Sequence, residues 1–272
     1  MCRVLDASKA GFYAWLDRAP SARELRDREL SAKIIAIHIK RHKRYGSPRI
    51  HAELRKKDER CGRKRVLRLM RAAGIRGKRR KSFVPKTTDS KHEFPIATNL
   101  VQRRFAPSEI GGPNRCWVGD ITYIMTGEGW LYLATVIDLY SRMVIGWSMS
   151  SSMHTRFVLD AFTMALGRRG VPKDLVWHSD RGVQYVSAAM RKLLKTHNIR
   201  CSMSGKGDCW DNAVAESFWS TLKTELFDAT PATREEARAA LFEFIEVWYN
   251  RERIHSTLGY LTPEEFELTQ VA

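Results

Sequence analysis

The chain has 272 residues, 43% of them hydrophobic and 28% charged. This composition excludes wholesale disorder and leaves room for one large domain or two smaller ones. No apolar run approaches the ~20 residues of a membrane helix, and the opening MCRVLDASKAGFYAW lacks the unbroken apolar stretch of a signal peptide, so no membrane association and a cytoplasmic address are expected.

The five cysteines (Cys2, Cys61, Cys116, Cys201 and Cys209) include no C-x-x-C pair, and no histidine knuckle lies beside them, which argues against a disulfide framework and against a zinc finger. The net charge of +17 is unevenly spread. Residues 1–110 carry 30 Lys+Arg against 11 Asp+Glu, whereas residues 111–272 carry 17 against 19. A polyanion-binding module joined to a nearly neutral second module would show this asymmetry; solubility alone does not require it.

Residues 1–83 read as helices. The stretch from Ser21 to Lys40 places Leu25, Leu30, Ile34, Ile35 and Ile37 among charges. Ser47-Pro48 marks a second helix start, since proline is tolerated in a first turn. A turn at Cys61-Gly62 then leads into a basic helix that ends near Gly74, which together make a helix-turn-helix. Its cations, Arg63, Lys64, Arg65, Arg68, Arg71, Arg76, Lys78, Arg79 and Arg80, would repel one another without a polyanion, so duplex DNA is the expected partner. A solvated amphipathic bundle is the plainer alternative.

Residues 84–112, with Pro85, Pro95, Pro107 and Gly111-Gly112, read as an extended linker. Beyond it, CWVGDITYIMT, WLYLATVIDLY and RMVIGWSMS form a three-strand meander. A helix from His154 to Leu166, a strand from Leu175 to Trp177, a helix from Ser187 to His197 and a strand from Arg200 to Met203 follow. Helices from Asp211 to Phe227 and from Thr233 to Asn250 end the series. The order predicts an α/β mixed sheet flanked by helices, with a core over 113–230 and a C-terminal helix and tail over 231–272.

Three carboxylates stand out. Asp120 interrupts a β-branched strand, where a buried charge is costly unless it is paired or metal-bound. Asp180 lies just past the fourth strand, at the carboxyl end where ligands bind open sheets. Glu216 falls in the second turn of a helix that Asp211 or Asn212 would cap, with Lys223 two turns further along the same face. Each has an ordinary explanation: an exposed strand face, a loop cap, a solvated stripe. Together they can converge above the sheet, where their charge calls for hard divalent cations. Two ions about 3.5–4 Å apart would clamp a phosphodiester.

These residues carry four ordered motifs: W-x-x-D-I-T-Y at 117–123, H-S-D-R-G-x-Q-Y at 178–185, D-N-A-x-x-E-S-F at 211–218 and Y-N-x-x-R-x-H-x-x-L-G-Y-x-T-P at 249–263. With thirty-five residues between Asp180 and Glu216, the chain resembles the second-reading-frame (OrfB) transposases of the third bacterial insertion-sequence family. The resemblance implies a ribonuclease-H-like, five-stranded core in which strands four and five run parallel to the first. It implies DNA cutting and joining by Asp120, Asp180 and Glu216 with two magnesium ions, for which manganese substitutes. It further implies contact of Lys223 with element-end DNA, and a role in packing or DNA support for Arg253 and His255. A DNA-dependent homo-oligomer follows from the need to synapse two ends, and an upstream-frame product is a possible fusion or partner. A nuclease of the same fold that cuts without joining is the nearest alternative, and a DNA-binding regulator without chemistry is the more distant one.

Overall fold

The computed structural model describes residues 8–79, 96–205 and 209–269, together with positions 4 and 6. The chain divides into two compact units, Met1–Lys78 and Arg79–Ala272.

The first unit is all helical: α1 (Lys9–Leu16), α2 (Ala22–Lys40), α3 (Ser47–Lys56) and α4 (Arg63–Ala72). Ser21 caps α2 by accepting from the Glu24 N–H at 3.2 Å. Leu30, Ile34 and Ile37 of α2 are buried, as are Ile50 and Leu54 of α3 and Val66, Leu69 and Met70 of α4, so each helix turns one apolar stripe inward. Asp27 of α2 holds α4 in place, accepting from Arg65 Nε at 2.7 Å and from Arg68 Nη2 at 2.6 Å.

The second unit is built on a five-stranded sheet: β1 (Cys116–Thr126), β2 (Gly129–Asp138), β3 (Val144–Ser150), β4 (Val176–Ser179) and β5 (Arg200–Met203). The spatial order is β3-β2-β1-β4-β5. The first three strands are antiparallel, and β4 and β5 run parallel to β1, as expected of a ribonuclease-H-like core. One face packs on α6 (Thr155–Arg169) and α7 (Ala188–Thr196), with Phe162 wedged edge-on against Trp117 and Trp177 at 5.9 and 4.7 Å. The other face buries Cys116, Val118 and Leu139 against Ala215 of α8 (Ala213–Glu225).

Two expectations change here. Residues 84–95 lie outside the described residues, but 96–112 does not behave as a spacer. Val101 is buried, Phe105 and Ile110 pack on the α8-side core, and Pro107–Ile110 forms a short helix, α5. Apolar residues spaced through a proline-containing stretch are enough to pin it to the sheet. The segment after residue 230 likewise belongs to this unit. Helix α9 (Arg234–Glu243) continues into a π-helical stretch, Phe244–Glu252, and α10 (Pro263–Leu268) closes the chain. Asn250 pairs with the edge of β3 like a strand residue, exchanging hydrogen bonds with Val144 N–H at 3.0 Å and Val144 C=O at 2.9 Å. Among the described residues no helix is long and apolar enough to cross a membrane.

Candidate active site

Asp120 sits midway along β1, opposite Thr135 of β2. Its neighbour Gly119 has a local reason: a Cβ there would land inside the Trp177 indole of β4, so only glycine lets that ring pack beneath the strand. The Asp120 carboxylate is half-buried and held by two donors, Ile121 N–H to Oδ1 at 2.8 Å and Trp219 Nε1–H to Oδ2 at 2.8 Å.

Asp180 follows the end of β4, and its Oδ1 accepts from Gly182 N–H at 2.9 Å in a tight side-chain turn. A Cβ at Gly182 would lie 3.1 Å from that same oxygen, so the glycine makes room for the aspartate. Glu216 is exposed on α8. It occupies the first turn rather than the expected second, because Cys209–Asn212 winds as a 3-10 turn and α8 begins at Ala213. The helix N-terminus therefore places its partial positive charge beside this carboxylate.

The three groups feel one another. The Asp120 carboxyl is pushed up to about 7, first by burial, then by the charge of Asp180, with Glu216 adding to it and the two donors opposing. Tyr185 is driven well above its ordinary value by burial and by the same two aspartates. The charges of Asp180 and Glu216 thus both reach Asp120, yet no three metal-binding side chains among the described residues form a ready-made cage. The donor set, carboxylate oxygens alone, suits magnesium or manganese. His178, two residues before Asp180, is engaged at both imidazole nitrogens, with Ser202 Oγ at 2.9 Å and the Asp211 carbonyl at 3.0 Å.

Lys223 is half-buried, its Nζ 5.3 Å from the centre of the Tyr123 ring. Burial lowers its pKa and the charge of Asp120 partly restores it. In the helical unit Arg63, Lys64, Arg71, Arg76 and Arg79 are exposed and Lys78 is half-buried; Arg80 lies outside the described residues. Arg65 and Arg68 are committed to Asp27 as ion pairs.

Several residues make contacts that sequence reasoning did not foresee. Of the two expected caps of α8, Asn212 takes the N-cap position, without a side-chain hydrogen bond, and Asp211 does not. The Asp211 carboxylate is taken by Asn99 Nδ2 at 2.9 Å, Gly205 N–H at 2.8 Å and Arg103 Nε at 3.0 Å, which straps residues 99–103 to the loop before Glu216. The Tyr185 hydroxyl is buried and has no hydrogen-bond partner among the described residues. Arg253 of the C-terminal motif is buried against Glu225 at the far end of α8. A buried phenol or a glutamate late in a helix carries no distinguishing pattern in a sequence.

Comparison with known proteins agrees with this architecture. An HTH-like domain model matches residues 24–83, and integrase core domain models match 111–209 and 197–263. The chain is 44% identical over 275 residues to the transposase InsF of insertion sequence IS3A from Escherichia coli K12, covering 100% of this chain and 94% of that protein. It is 40% identical over 267 residues to a 31 kDa protein of insertion element IS600 from Shigella sonnei, covering 98% and 97%. Among solved structures, an intasome of simian T-cell lymphotropic virus aligns at 15% identity with a TM-score of 0.49, over 86% of this chain and 74% of that one. The chain belongs to the IS3 family of insertion-sequence transposases, with an integrase core domain and an HTH-like domain.

Proposed function

We propose that Asp120, Asp180 and Glu216 are the catalytic carboxylates of this transposase and hold two divalent ions, magnesium with manganese as substitute, while element ends are cut and joined. The observation carrying this reading is that three separate elements bring carboxylates close enough for their charges to act on one another: the Asp120 carboxyl is pushed up to about 7, first by burial and then by the charges of Asp180 and Glu216. Bound ions supply Lewis-acid stabilisation to the attacking and departing oxygens of a phosphodiester. The chain's own part is positional. A strand centre, a strand end and a helix N-terminus hold three oxygen donors on rigid supports.

Lys223 is assigned to a phosphate of the end DNA, close to the reacting position. The exposed cations Arg63, Lys64, Arg71, Arg76 and Arg79 are assigned to the duplex backbone, together with Lys78, Arg80 and the partly committed Arg65 and Arg68. The division of labour is residues 1–83 for DNA binding and 113–230 for chemistry. Two ends must be held at once, so the active form is a DNA-dependent homo-oligomer, with an upstream-frame product as a further partner or fusion.

The test is Asp180→Asn, nearly isosteric but without the charge. With magnesium and duplexes bearing the element's terminal repeats, cleavage and strand transfer should both be lost while duplex binding persists. Retention of near-wild-type cleavage would remove Asp180 from the ligand set.

A further inference from the structure

Trp219 lies three residues past Glu216 on α8, and its indole Nε1–H donates to Asp120 Oδ2 across to β1 at 2.8 Å. The ring is 7% exposed and packs on Phe218 with centroids 4.8 Å apart. Indole N–H is a donor only, so it always faces a lone pair of the carboxylate. With Ile121 N–H on Oδ1, the Asp120 carboxylate is held from both oxygens, and its remaining lone pairs have one orientation. The same bond ties the helix carrying Glu216 to the strand carrying Asp120, and so constrains the separation of those two groups.

A plainer account is that a buried indole merely takes the nearest acceptor. Trp177 argues against it: its Nε1 is buried in the same unit without a hydrogen-bond partner, so the fold tolerates an unpaired indole. The Trp219 bond is therefore not something that packing alone demands.

We propose that Trp219 is the positioning residue of the carboxylate site: its indole N–H orients Asp120 and braces α8 against β1 so that Asp120 and Glu216 present to the same cation. The proposal rests on the reading of these carboxylates as metal ligands. Partners that orient a ligand from behind are typically worth 10–100-fold in metal affinity.

Manganese binding by the full chain, followed as loss of the free-ion electron paramagnetic resonance signal without DNA, separates the possibilities. Trp219→Phe should keep its circular dichroism spectrum and bind manganese at least roughly tenfold more weakly. Asp120→Asn should lose more. Trp147→Phe, which removes an indole bond to Glu246 at 2.6 Å elsewhere on the sheet, should bind like wild type. Should Trp219→Phe fail to fold, 3-benzothienylalanine placed at 219 keeps the ring shape, deletes only the N–H and carries the same expectation. Wild-type affinity in a folded 219 variant, with Asp120→Asn impaired, overturns the positioning role alone. Equal binding by wild type and Asp120→Asn overturns the metal-ligand reading, and the positioning role with it.

Discussion

Arg253 and Glu225 form a buried ion pair, Nη2 to Oε1 at 3.0 Å, with both side chains 6% exposed. Trp248 Nε1 adds a further bond to Glu225 at 2.9 Å, and Arg253 Nη2 reaches Thr221 Oγ1 at 3.3 Å. The C-terminal motif is thereby fastened to the end of α8 remote from Glu216. Removing one partner strands the other charge, which costs about 3–5 kcal/mol. Arg253→Ala should accordingly lower the thermal midpoint of the second unit sharply. An unchanged midpoint would mean that the pair contributes nothing to holding α8.

Asp120 makes the metal-free protein pH-sensitive. Its carboxyl is raised from 3.8 to about 7 in the fold, so the native state binds the proton more tightly than the unfolded chain. That contribution is complete below the unfolded value and is lost as pH rises from about 4 through 7. At about 1.36 kcal/mol per unit the upper limit is about 4 kcal/mol. Asp138, pushed up to about 6 chiefly by burial, adds a slope of the same sign that wild type and variant share. Asp120→Asn should therefore be more stable than wild type at pH 8 and nearly equal at pH 4. Denaturant titrations across that range check this, and equal stability at both ends would contradict it.

The helical unit predicts two kinds of arginine. Arg71 is exposed on α4, whereas Arg65 and Arg68 are bound to Asp27, whose pKa they hold down. Arg71→Gln should reduce the slope of log affinity for duplex DNA against log salt by about 0.9. Arg65→Gln should act mainly by loosening α4 from α2. Salt titrations of the full-length variants distinguish them, and an undiminished slope for Arg71→Gln would exclude that phosphate contact.

Tyr185→Phe deletes a buried hydroxyl that has no partner among the described residues. Relieving an unsatisfied group should stabilise by about 1 kcal/mol and raise the midpoint by about 2–4 °C. A fall of similar size would show that the hydroxyl has a partner in solution.

Much of this was legible before any coordinates. The runs around Asp120, Leu133 and Val144 have the β-branched character of paired strands, and they form β1 to β3 as expected. The motifs placed Asp180 beyond β4 and Glu216 on α8, because both are local signals. What escaped depends on tertiary partners. Asp211 has the composition of a helix cap, yet Asn99 and Arg103, more than a hundred residues earlier, claim its carboxylate. A 3-10 turn over Cys209–Asn212 precedes α8, and Glu216 falls in the first turn of that helix. Residues 96–112 look like a spacer by their prolines, while Val101 and Phe105 find a sheet face that no local pattern reveals. Trp219 reads as packing, and only the fold shows that its N–H meets Asp120.

The central claim is most directly tested by the anomalous difference map of a crystal grown with manganese and end DNA. The account predicts two peaks about 3.5–4 Å apart, with oxygens of Asp120, Asp180 and Glu216 at about 2.0–2.2 Å from them. Peaks held by other side chains, or an Asp180 carboxylate turned away from both, would contradict it.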